Sequence, residues 1–416
     1  MPMKSLKTAD VKNKTVIARV DLDTPLGKDS SGNIIVRDDY RLQRILPTIQ
    51  WLASHKAKTV VIGHLRRPKG WDKDKSLLPV AQTMADLLKL KFIVIDEKVE
   101  RLPHYDIPHV FFFAEDFRAE KSKRLLKDLN PGDIAVLENI RFYPEEEKDS
   151  EEFARELASL GEIYVNDSFA TVYHANQVSI KRLATLLPHY AGFELEKETK
   201  ILSQVLATPE RPYLMMIGGV KLSEKLAAMS GILNHCDSVI VGGGIATLFY
   251  LAQGYEVGKS LAEKSKIVEA KDILRNYKSK IHLPVDVVVA RSPEEEKSIR
   301  VTKPDEVSPE EMILDIGPET IKKYSEIIRE AKTVLWSGPM GLFENKHFAH
   351  GTKALGRLFA SRSQGLSFGI AGGGDTLAAI KMLGVGEDID HLSTGGSSML
   401  QYLSGIKLPG IEVLED

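Results

Sequence analysis

The feature that most restricts the fold is an alternation of short apolar runs with longer amphipathic segments. A run that is apolar at consecutive positions is buried on both faces, which is typical of strands in parallel sheets covered by helices. The runs form one set in each half of the chain, so we predict an α/β protein with two doubly wound parallel-sheet domains. The runs are Thr15–Val20, Thr59–Ile62, Phe92–Ile95, Ile134–Leu137, Ile163–Val165, Tyr213–Ile217, Ser238–Val241, Val285–Val289, Thr333–Trp336 and Leu366–Ile370.

The boundary between the domains is predicted at Phe193–Leu206, a charged amphipathic segment with the pattern of one helix. We assign residues 1–190 to the first domain, residues 191–206 to the connecting helix and residues 207–396 to the second domain. A long helix is a semi-rigid linker, which suits two bodies that move relative to each other. Other segments with a helical pattern are Leu78–Leu90, Glu151–Ser159 and Ser265–Tyr277.

The composition excludes several classes of protein. Lys plus Arg (56) nearly balances Asp plus Glu (58), so no global field attracts nucleic acid or an anionic membrane. Cys236 is the only cysteine, which excludes an intramolecular disulfide and favours a buried structural thiol. The N-terminus lacks the apolar core of a signal peptide, and the most apolar stretch, Ser238–Ala252, is shorter than the roughly 20 residues of a membrane span. We therefore expect a cytoplasmic protein.

Cationic side chains follow the strands of the first half. The carboxyl ends of parallel strands meet at one edge of a sheet, where ligands bind. Guanidinium groups there suit carboxylate and phosphate oxygens, so the natural occupant is a small polyanion. Each arginine alone could equally be a solvated surface charge; their repetition at successive strand ends favours a site. The predicted site residues at these strand ends are the cations Arg19, Arg41, His64, Arg66, Arg67, Arg141 and His174 and the carboxylates Asp21 and Asp23.

Glycine turns follow the strands of the second half, and each turn leads into a helix. Glycine lets backbone amides approach phosphate closely, and a helix N-terminus adds partial positive charge, so this half predicts a nucleotide site. Lys221 and Lys225 can face the same phosphate chain, and Asp375 could ligate Mg²⁺ or simply cap its helix. The turns contain Gly218, Gly219, Gly242, Gly243, Gly244, Gly338, Gly341, Gly372, Gly373 and Gly374.

Two other glycine patterns are weaker. Gly254–Ser260 resembles a Walker A loop, but it is one residue too short and follows a predicted helix. Thr247 and Leu377 occupy the third glycine position of the dinucleotide fingerprint, so an NAD-dependent dehydrogenase is only weakly supported.

Taken in order, the motifs resemble the phosphoglycerate kinase family nearly from end to end. The resemblance implies a first domain that binds 3-phosphoglycerate or 1,3-bisphosphoglycerate, a second domain that binds MgATP or MgADP, and a monomer. It also implies that the segment of about residues 397–416 returns to the first domain. The motifs are Arg19–Asp21, His64–Leu65, Arg67–Pro68, Glu138–Asn139, Arg141–Phe142, Val165–Asp167, Ala191–Phe193, Gly218–Gly219, Leu283–Asp286, Gly338–Gly341, Phe343–Glu344, Gly372–Thr376 and Ser393–Gly396.

The resemblance also implies roles for individual residues. Arg41, Lys221 and Lys225 would be catalytic, and Asp375 would reach Mg²⁺ through the nucleotide. Transfer would be direct and in-line on domain closure, with Arg41 and Lys221 meeting at the transferred group. By this resemblance the substrate would bind Asp21, Arg41, His64, Arg67 and Arg141, and we add Asp23, Arg66 and His174 to the predicted substrate site because they belong to the same strand-end segments. The nucleotide would bind Gly219, Lys221, Lys225, Gly242, Gly243, Glu344, Gly372, Gly373, Gly374, Asp375 and Thr376.

The sequence departs from the family pattern mainly in the first half. Asp23 stands where the family usually has Asn, His174 where it has Arg, and Arg66 where it has Gly. Ser337 and Ser397 replace an Asn and a Gly in the second half. These differences leave two alternatives open, namely a kinase of the same fold that acts on a different small anionic carboxylate, and a nucleotide-binding relative without catalysis.

Overall fold

The computed structural model describes residues 3–103 and 105–415. The chain divides into two compact units: the first comprises the residues up to Lys200 and those from Lys407 onward, and the second comprises Ile201–Ile406. The segment that returns to the first unit therefore begins at Lys407, whereas the family resemblance placed the return near residue 397. Within the described residues, no helix combines the length and the apolar character needed to cross a membrane.

The first unit is built on a sheet of parallel strands. Its strands are β1 (Thr15–Val20), β2 (Leu26–Lys28), β3 (Ile34–Val36), β4 (Lys58–Ile62), β5 (Lys91–Ile95), β6 (His109–Phe113), β7 (Ile134–Leu137), β8 (Ile163–Asp167) and β9 (His189–Ala191). Its helices are α1 (Tyr40–Ser54), α2 (Leu78–Leu88), α3 (Glu120–Lys127), α4 (Glu151–Ala158) and the start of α5 (Phe193–Ala207).

Seven of these strands form one sheet in the order β5-β6-β7-β4-β1-β8-β9, and every pairing in it is parallel. The strand β1 lies between β4 and β8, with Arg19 opposite Ile62 on one side and Asn166 on the other. Consecutive residues of β1 from Val16 to Val20 are buried, as expected for a strand covered on both faces. The strands β2 and β3 form a separate antiparallel hairpin.

The second unit has a six-stranded parallel sheet in the order β12-β11-β10-β16-β17-β18 and a small antiparallel sheet in the order β14-β13-β15. Its strands are β10 (Tyr213–Ile217), β11 (Ser238–Val241), β12 (Ile281–His282), β13 (Val287–Ala290), β14 (Arg300–Thr302), β15 (Met312–Ile316), β16 (Thr333–Ser337), β17 (Phe368–Gly372) and β18 (His391–Ser393). Its helices are the end of α5 with α6 (Leu222–Ile232), α7 (Gly243–Gln253), α8 (Ile267–Tyr277), α9 (Pro318–Glu330), α10 (His350–Ser363), α11 (Gly374–Leu383) and α12 (Gly396–Leu403). The short helix α13 (Pro409–Glu412) belongs to the returning segment.

The predicted α/β class is confirmed, with one correction in the second half. The run Val285–Val289 was expected in the parallel sheet, but its strand, β13, pairs antiparallel with β14 and β15. Periodicity reports that a strand is buried and carries no information about its partners, which explains the error. The strand β6 was not predicted, although all five of its residues, His109–Phe113, are buried.

Candidate active site

The carboxyl edge of the first sheet gathers the cationic residues around β1. His64 follows β4, and Ser168 follows β8, so both flank the end of the central strand. Arg19, the penultimate residue of β1, is fully buried, and one of its terminal nitrogens lies 3.1 Å from His64 Nδ1. These side chains meet because β4 and β8 lie on either side of β1, and the loops that follow them carry His64 and Ser168.

Arg41 and Asp21 form an ion pair at this edge. Arg41 is the second residue of α1, whose N-cap is Asp39, and Asp21 is the first residue after β1. The carboxylate of Asp21 raises the pKa of Arg41, and this effect outweighs the opposite effect of burial. Asp21 therefore neutralises and orients Arg41, and Arg41 keeps about a quarter of its side chain exposed for a ligand (23%).

Asp23 holds the loop that follows β4. Its Oδ1 accepts a hydrogen bond of 3.0 Å from the backbone N–H of Arg66, and Arg141 donates to the carbonyl of Arg66 at 2.8 Å. Arg66 adopts φ 59°, in the left-handed region that favours glycine. This backbone conformation explains why the family pattern has glycine at this position. In this chain the position is held by Arg66, whose side chain is exposed.

The motif Glu138–Asn139 fixes the same loop from the end of β7. Asn139 Nδ2 donates to the carbonyls of Leu65 and Lys75, at 2.8 and 2.9 Å. Glu138 accepts from the backbone N–H of Leu77 at 3.1 Å and from the hydroxyl of Ser76. Both residues are buried and donate to or accept from groups of the loop, so they hold the loop in position.

The site is dominated by positive charge. Burial lowers the pKa of His64 well below its usual value, and the charges of Arg19, Arg141, His174 and Arg41 lower it further. Burial also lowers the pKa of Arg141, although Glu147 and Asp23 oppose this effect. His64 is therefore neutral at pH 7 and can serve as a hydrogen-bond donor or acceptor without adding charge.

Two predicted substrate residues lie at the margin of this cluster. Arg67 is exposed, on the basic segment that includes Lys69, Trp71 and Lys75. His174 is half-buried, its ring lies 4.0 Å from that of Tyr173, and it is close enough to His64 to affect its pKa. The structure thus brings Arg19, Arg41, His64 and Arg141 together and leaves Arg67 at the rim.

In the second unit, glycine turns pack backbone against backbone at the end of the sheet. Gly219 N–H donates to the Pro339 carbonyl at 2.8 Å, and Gly243 N–H donates to the Met340 carbonyl at 2.8 Å. Gly244 N–H donates to the carbonyl of Gly219 at 3.0 Å. A side chain at Gly243 would meet the backbone of Gly219, so only glycine allows this approach. The turns after β10, β11 and β16 therefore contact one another at the end of the sheet.

Lys225 is buried beneath these turns. Its Nζ donates to the carbonyl of Ser337 at 3.0 Å and to that of Gly218 at 2.5 Å. Burial lowers the pKa of Lys225 to about 8, and the charge of Lys221 contributes in the same direction. Asp375 opposes the shift, so its carboxylate lies near the ammonium group. Two carbonyl dipoles and one carboxylate thus stabilise a buried cation beneath the glycine turns.

The fourth glycine turn, which follows β17, is connected to the others by hydrogen bonds of Thr376. Its hydroxyl donates to the Gly372 carbonyl at 2.9 Å and accepts from the Gly338 N–H at 2.7 Å. The N-cap of α11 is Gly373, so Asp375 is the second helical residue, and the alternative that Asp375 caps the helix is wrong. Asp375 is exposed at the helix N-terminus, where it is available to a ligand.

The remaining predicted nucleotide residues are on the surface of this unit. Lys221 is the exposed N-cap residue of α6, and Glu344 is exposed in the loop after β16. Among the described residues, no group of three or more His, Cys, Asp or Glu side chains could hold a metal by itself. Mg²⁺ is usually held by one or two carboxylates together with substrate phosphates and water, so the single carboxylate of Asp375 fits a metal that arrives with a nucleotide.

The sequence does not predict the buried residues that hold Arg19 in the first site. The sequence indicates Arg19 only as a cation at a strand end and gives no signal for Glu146 or Ser179. Ser179 accepts from Arg19 Nε at 3.0 Å and donates to Glu146 Oε1 at 2.6 Å. Burial raises the pKa of Glu146 to about 7. Nothing in the local pattern around Glu146, in the acidic run Glu145–Glu147, distinguishes a buried carboxyl from a solvated one.

Comparison with known proteins gives one consistent result. A family model described as phosphoglycerate kinase matches residues 6–406. Relatives named phosphoglycerate kinase from Pelotomaculum thermopropionicum and Dictyoglomus turgidum are 40% and 38% identical, over 100% and 99% of this chain and 100% and 98% of theirs. A structure of phosphoglycerate kinase from Coxiella burnetii is 33% identical, with a TM-score of 0.79 over 100% of this chain and 99% of its own. Another from Pyrococcus horikoshii is 28% identical, with a TM-score of 0.81 over 99% and 98%.

Proposed function

This chain belongs to the phosphoglycerate kinase family, and we propose that it transfers a phosphoryl group reversibly between 1,3-bisphosphoglycerate and ADP. The products in this direction are 3-phosphoglycerate and ATP. The observation that carries the proposal is the pairing of two different sites at the carboxyl edges of two sheets. One is cationic and suits a carboxylate with a phosphate, and the other is built from glycine turns and a buried lysine.

The first unit supplies the recognition of the phosphoglycerate. Arg41 is oriented by Asp21, and Arg141 is oriented by the Arg66 carbonyl, so both guanidinium groups are held before a ligand arrives. Preorganised donors reduce the entropy lost on binding. We propose that Arg41, Arg141 and Arg67 bind the anionic oxygens, and that neutral His64 donates one further hydrogen bond.

The second unit supplies the nucleotide site. We propose that the turns at Gly219, Gly243 and Gly373 approach the nucleotide, that Lys221 and Lys225 contact its phosphates, and that Glu344, Asp375 and Thr376 complete the site. When bound with the nucleotide, Mg²⁺ would neutralise phosphate charge beside Asp375. The buried ammonium of Lys225 lies in low dielectric, where a positive charge stabilises developing phosphoryl charge more strongly than in water.

The reaction needs no covalent enzyme intermediate. In the direction of ATP synthesis, a β-phosphate oxygen of ADP attacks the acyl phosphorus, the P–O bond to the carboxyl oxygen breaks, and 3-phosphoglycerate leaves as a carboxylate. The transition state is loose, with charge on three equatorial oxygens, so positioning and cationic stabilisation provide most of the rate. We propose that Arg41 and Lys221 act on this group after the two units close on their ligands.

The departures from the family pattern bear on substrate choice. Asp23 adds a negative charge near an anionic ligand, and His174 replaces a permanently charged arginine. One carboxylate oxygen of Asp23 accepts a hydrogen bond from the Arg66 N–H, and Arg66 adds an exposed guanidinium to the same loop. We propose that Arg66 compensates for these changes and keeps 3-phosphoglycerate as the substrate.

Steady-state kinetics test the proposal. ATP-dependent phosphorylation of 3-phosphoglycerate is coupled to NADH oxidation through glyceraldehyde-3-phosphate dehydrogenase, with and without Mg²⁺. Turnover in the presence of Mg²⁺ supports the proposal. Binding of MgATP without turnover would favour a different anionic carboxylate, and the absence of turnover with a panel of such acids would favour the non-catalytic relative. We further propose that the protein is cytoplasmic and monomeric, and light scattering of the purified protein tests the monomer.

A further inference from the structure

Arg19 occupies the centre of the first site without reaching its surface. It lies at the end of β1, with both neighbouring strands in register beside it, and its relative exposure is 0%. A side chain with no exposed surface does not contact a substrate that binds from solvent. Any effect of Arg19 on the reaction must therefore pass through the groups to which it donates hydrogen bonds.

Arg19 is the donor in each of its side-chain hydrogen bonds. A guanidinium group only donates and stays protonated in proteins. Its Nε donates to Ser179 Oγ at 3.0 Å, and one terminal nitrogen points to His64 Nδ1 at 3.1 Å. Ser179 Oγ in turn donates to Glu146 Oε1 at 2.6 Å, while the Ser179 N–H donates to Oε2 at 3.0 Å. Tyr164 fixes the backbone of Ser179 through a bond of 2.6 Å to its carbonyl.

This direction decides the tautomer of His64. Because Arg19 can only donate, Nδ1 of His64 must accept and carries no proton. A neutral imidazole has one N–H, so the proton lies on Nε2. Nε2 is 3.9 Å from Asp23 Oδ2, and the charges of Arg41, Arg141 and His174 also act on the ring and lower its pKa. A doubly protonated ring would place an Nδ1–H against the guanidinium and a further charge among these cations.

We propose that Arg19 is a positioning residue that locks His64 in the neutral Nε2–H tautomer, so that His64 presents a fixed hydrogen-bond donor to an anionic oxygen of the phosphoglycerate. This inference rests on the proposed function for the identity of the ligand. The tautomer itself is a property of the ligand-free protein. Glu146 and Ser179 hold the guanidinium in place, and all four side chains are buried. His64 thus contributes a donor while the arginines contribute the charge.

Nitrogen NMR of the ligand-free protein tests the tautomer directly. The protein is labelled with ¹⁵N-histidine, and the His64 resonances are assigned as those lost in His64→Gln. Nδ1 is expected to be unprotonated and Nε2 protonated across the range of about pH 5 to 8 in which histidine ordinarily titrates. A proton on Nδ1, or formation of the imidazolium within this range, would overturn the inference, whether or not the protein turns over 3-phosphoglycerate.

Variants connect the tautomer to substrate binding. In Arg19→Met, His64 is expected to become a mixture of tautomers, and the KM for 3-phosphoglycerate to rise by the factor by which the Nε2–H form is depopulated, about two- to threefold for a near-even mixture. The KM for ATP should not change. Arg19→Lys keeps one donor and should recover part of the effect, whereas Arg118→Met removes an arginine that pairs with Asp116 and should change neither tautomer nor KM.

Two results with these variants would refute the role of Arg19. One is a folded Arg19→Met protein that retains the Nε2–H tautomer. The other is a rise in the KM for ATP equal to that for 3-phosphoglycerate, which indicates general disruption. If Arg19→Met does not fold, Arg19→Gln provides the same comparison, because a buried amide can accept as well as donate a hydrogen bond and so no longer forces His64 Nδ1 to be unprotonated.

Discussion

Lys225 is expected to lower the stability of the second unit while it serves the nucleotide site. Burial lowers its pKa from 10.5 to about 8. At pH 7 the charged form of Lys225 is therefore less favourable in the folded protein than in the unfolded chain. At 1.36 kcal/mol per pKa unit, the cost of this charge is about 3 kcal/mol. Lys225→Met removes the cost and the two hydrogen bonds to carbonyls, each of which contributes about 1 kcal/mol.

The pH dependence of this effect has a definite sign. Between pH 8 and 10.5 the unfolded chain holds a proton on Lys225 that the folded protein has lost, so the stability of the wild type rises with pH in this window. The free energy of unfolding of the wild type minus that of Lys225→Met should therefore rise by about 3 kcal/mol across it. Below pH 8 the difference should be constant, with the variant as stable as the wild type or slightly more stable.

Urea unfolding followed by the fluorescence of Trp336, which is buried in the second unit, measures this difference. The protein has three tryptophans, so a background with Trp51→Phe and Trp71→Phe isolates the signal of that unit. The same variant should lose most of its kcat. A stability difference that stays flat from pH 8 to 10.5 would refute the reasoning, because it would show that Lys225 titrates at its ordinary pKa in the folded protein.

Four further predictions concern other positions. Lys221→Ala should lower kcat far more than the affinity for MgATP in equilibrium binding, and equal losses would show that Lys221 only anchors the nucleotide. His174→Arg and Asp23→Asn should each lower the KM for 3-phosphoglycerate, by about tenfold if the altered charge faces the ligand, and an unchanged KM would place that charge outside the site. Gly338→Ala should destabilise the second unit by at least about 1 kcal/mol, because φ is 97° and an added Cβ would meet Lys225; an unchanged urea midpoint would contradict this. The wild type should lose stability as pH rises from 4.5 to about 7, because in this window the folded protein keeps the proton of Glu146 while the unfolded chain releases it. Glu146→Gln should abolish this loss, and equal pH dependence of the stability of variant and wild type would contradict the prediction.

Much of the fold follows from burial patterns that the sequence displays directly. The runs Thr15–Val20, Ile134–Leu137 and Tyr213–Ile217 are strands with the predicted bounds, because each is mostly apolar and is bounded by polar or turn residues. The run His109–Phe113 has the same character and was available as a signal, although it begins with a polar histidine. The short strand His391–Ser393 has no such signal, because three residues define no period.

Sheet partners and buried polar contacts could not be predicted in the same way. The strand Val287–Ala290 looks like its parallel counterparts in sequence, and only tertiary pairing assigns it to a separate antiparallel sheet. The partner of Arg19, Ser179, is far away in sequence, and no local pattern joins the two. The residues at the strand ends were predictable because parallel topology brings them to one edge; the buried groups that orient them were not.

Chemical trapping of the phosphorylated product tests the central claim most directly. The protein is incubated with MgATP, 3-phosphoglycerate and hydroxylamine, which captures an acyl phosphate as its hydroxamate. Transfer to a carboxylate predicts hydroxamate in amounts equal to the ADP released, and none without 3-phosphoglycerate or Mg²⁺. ADP released without hydroxamate would contradict the account, because the phosphoryl group would then have gone to water or to a hydroxyl.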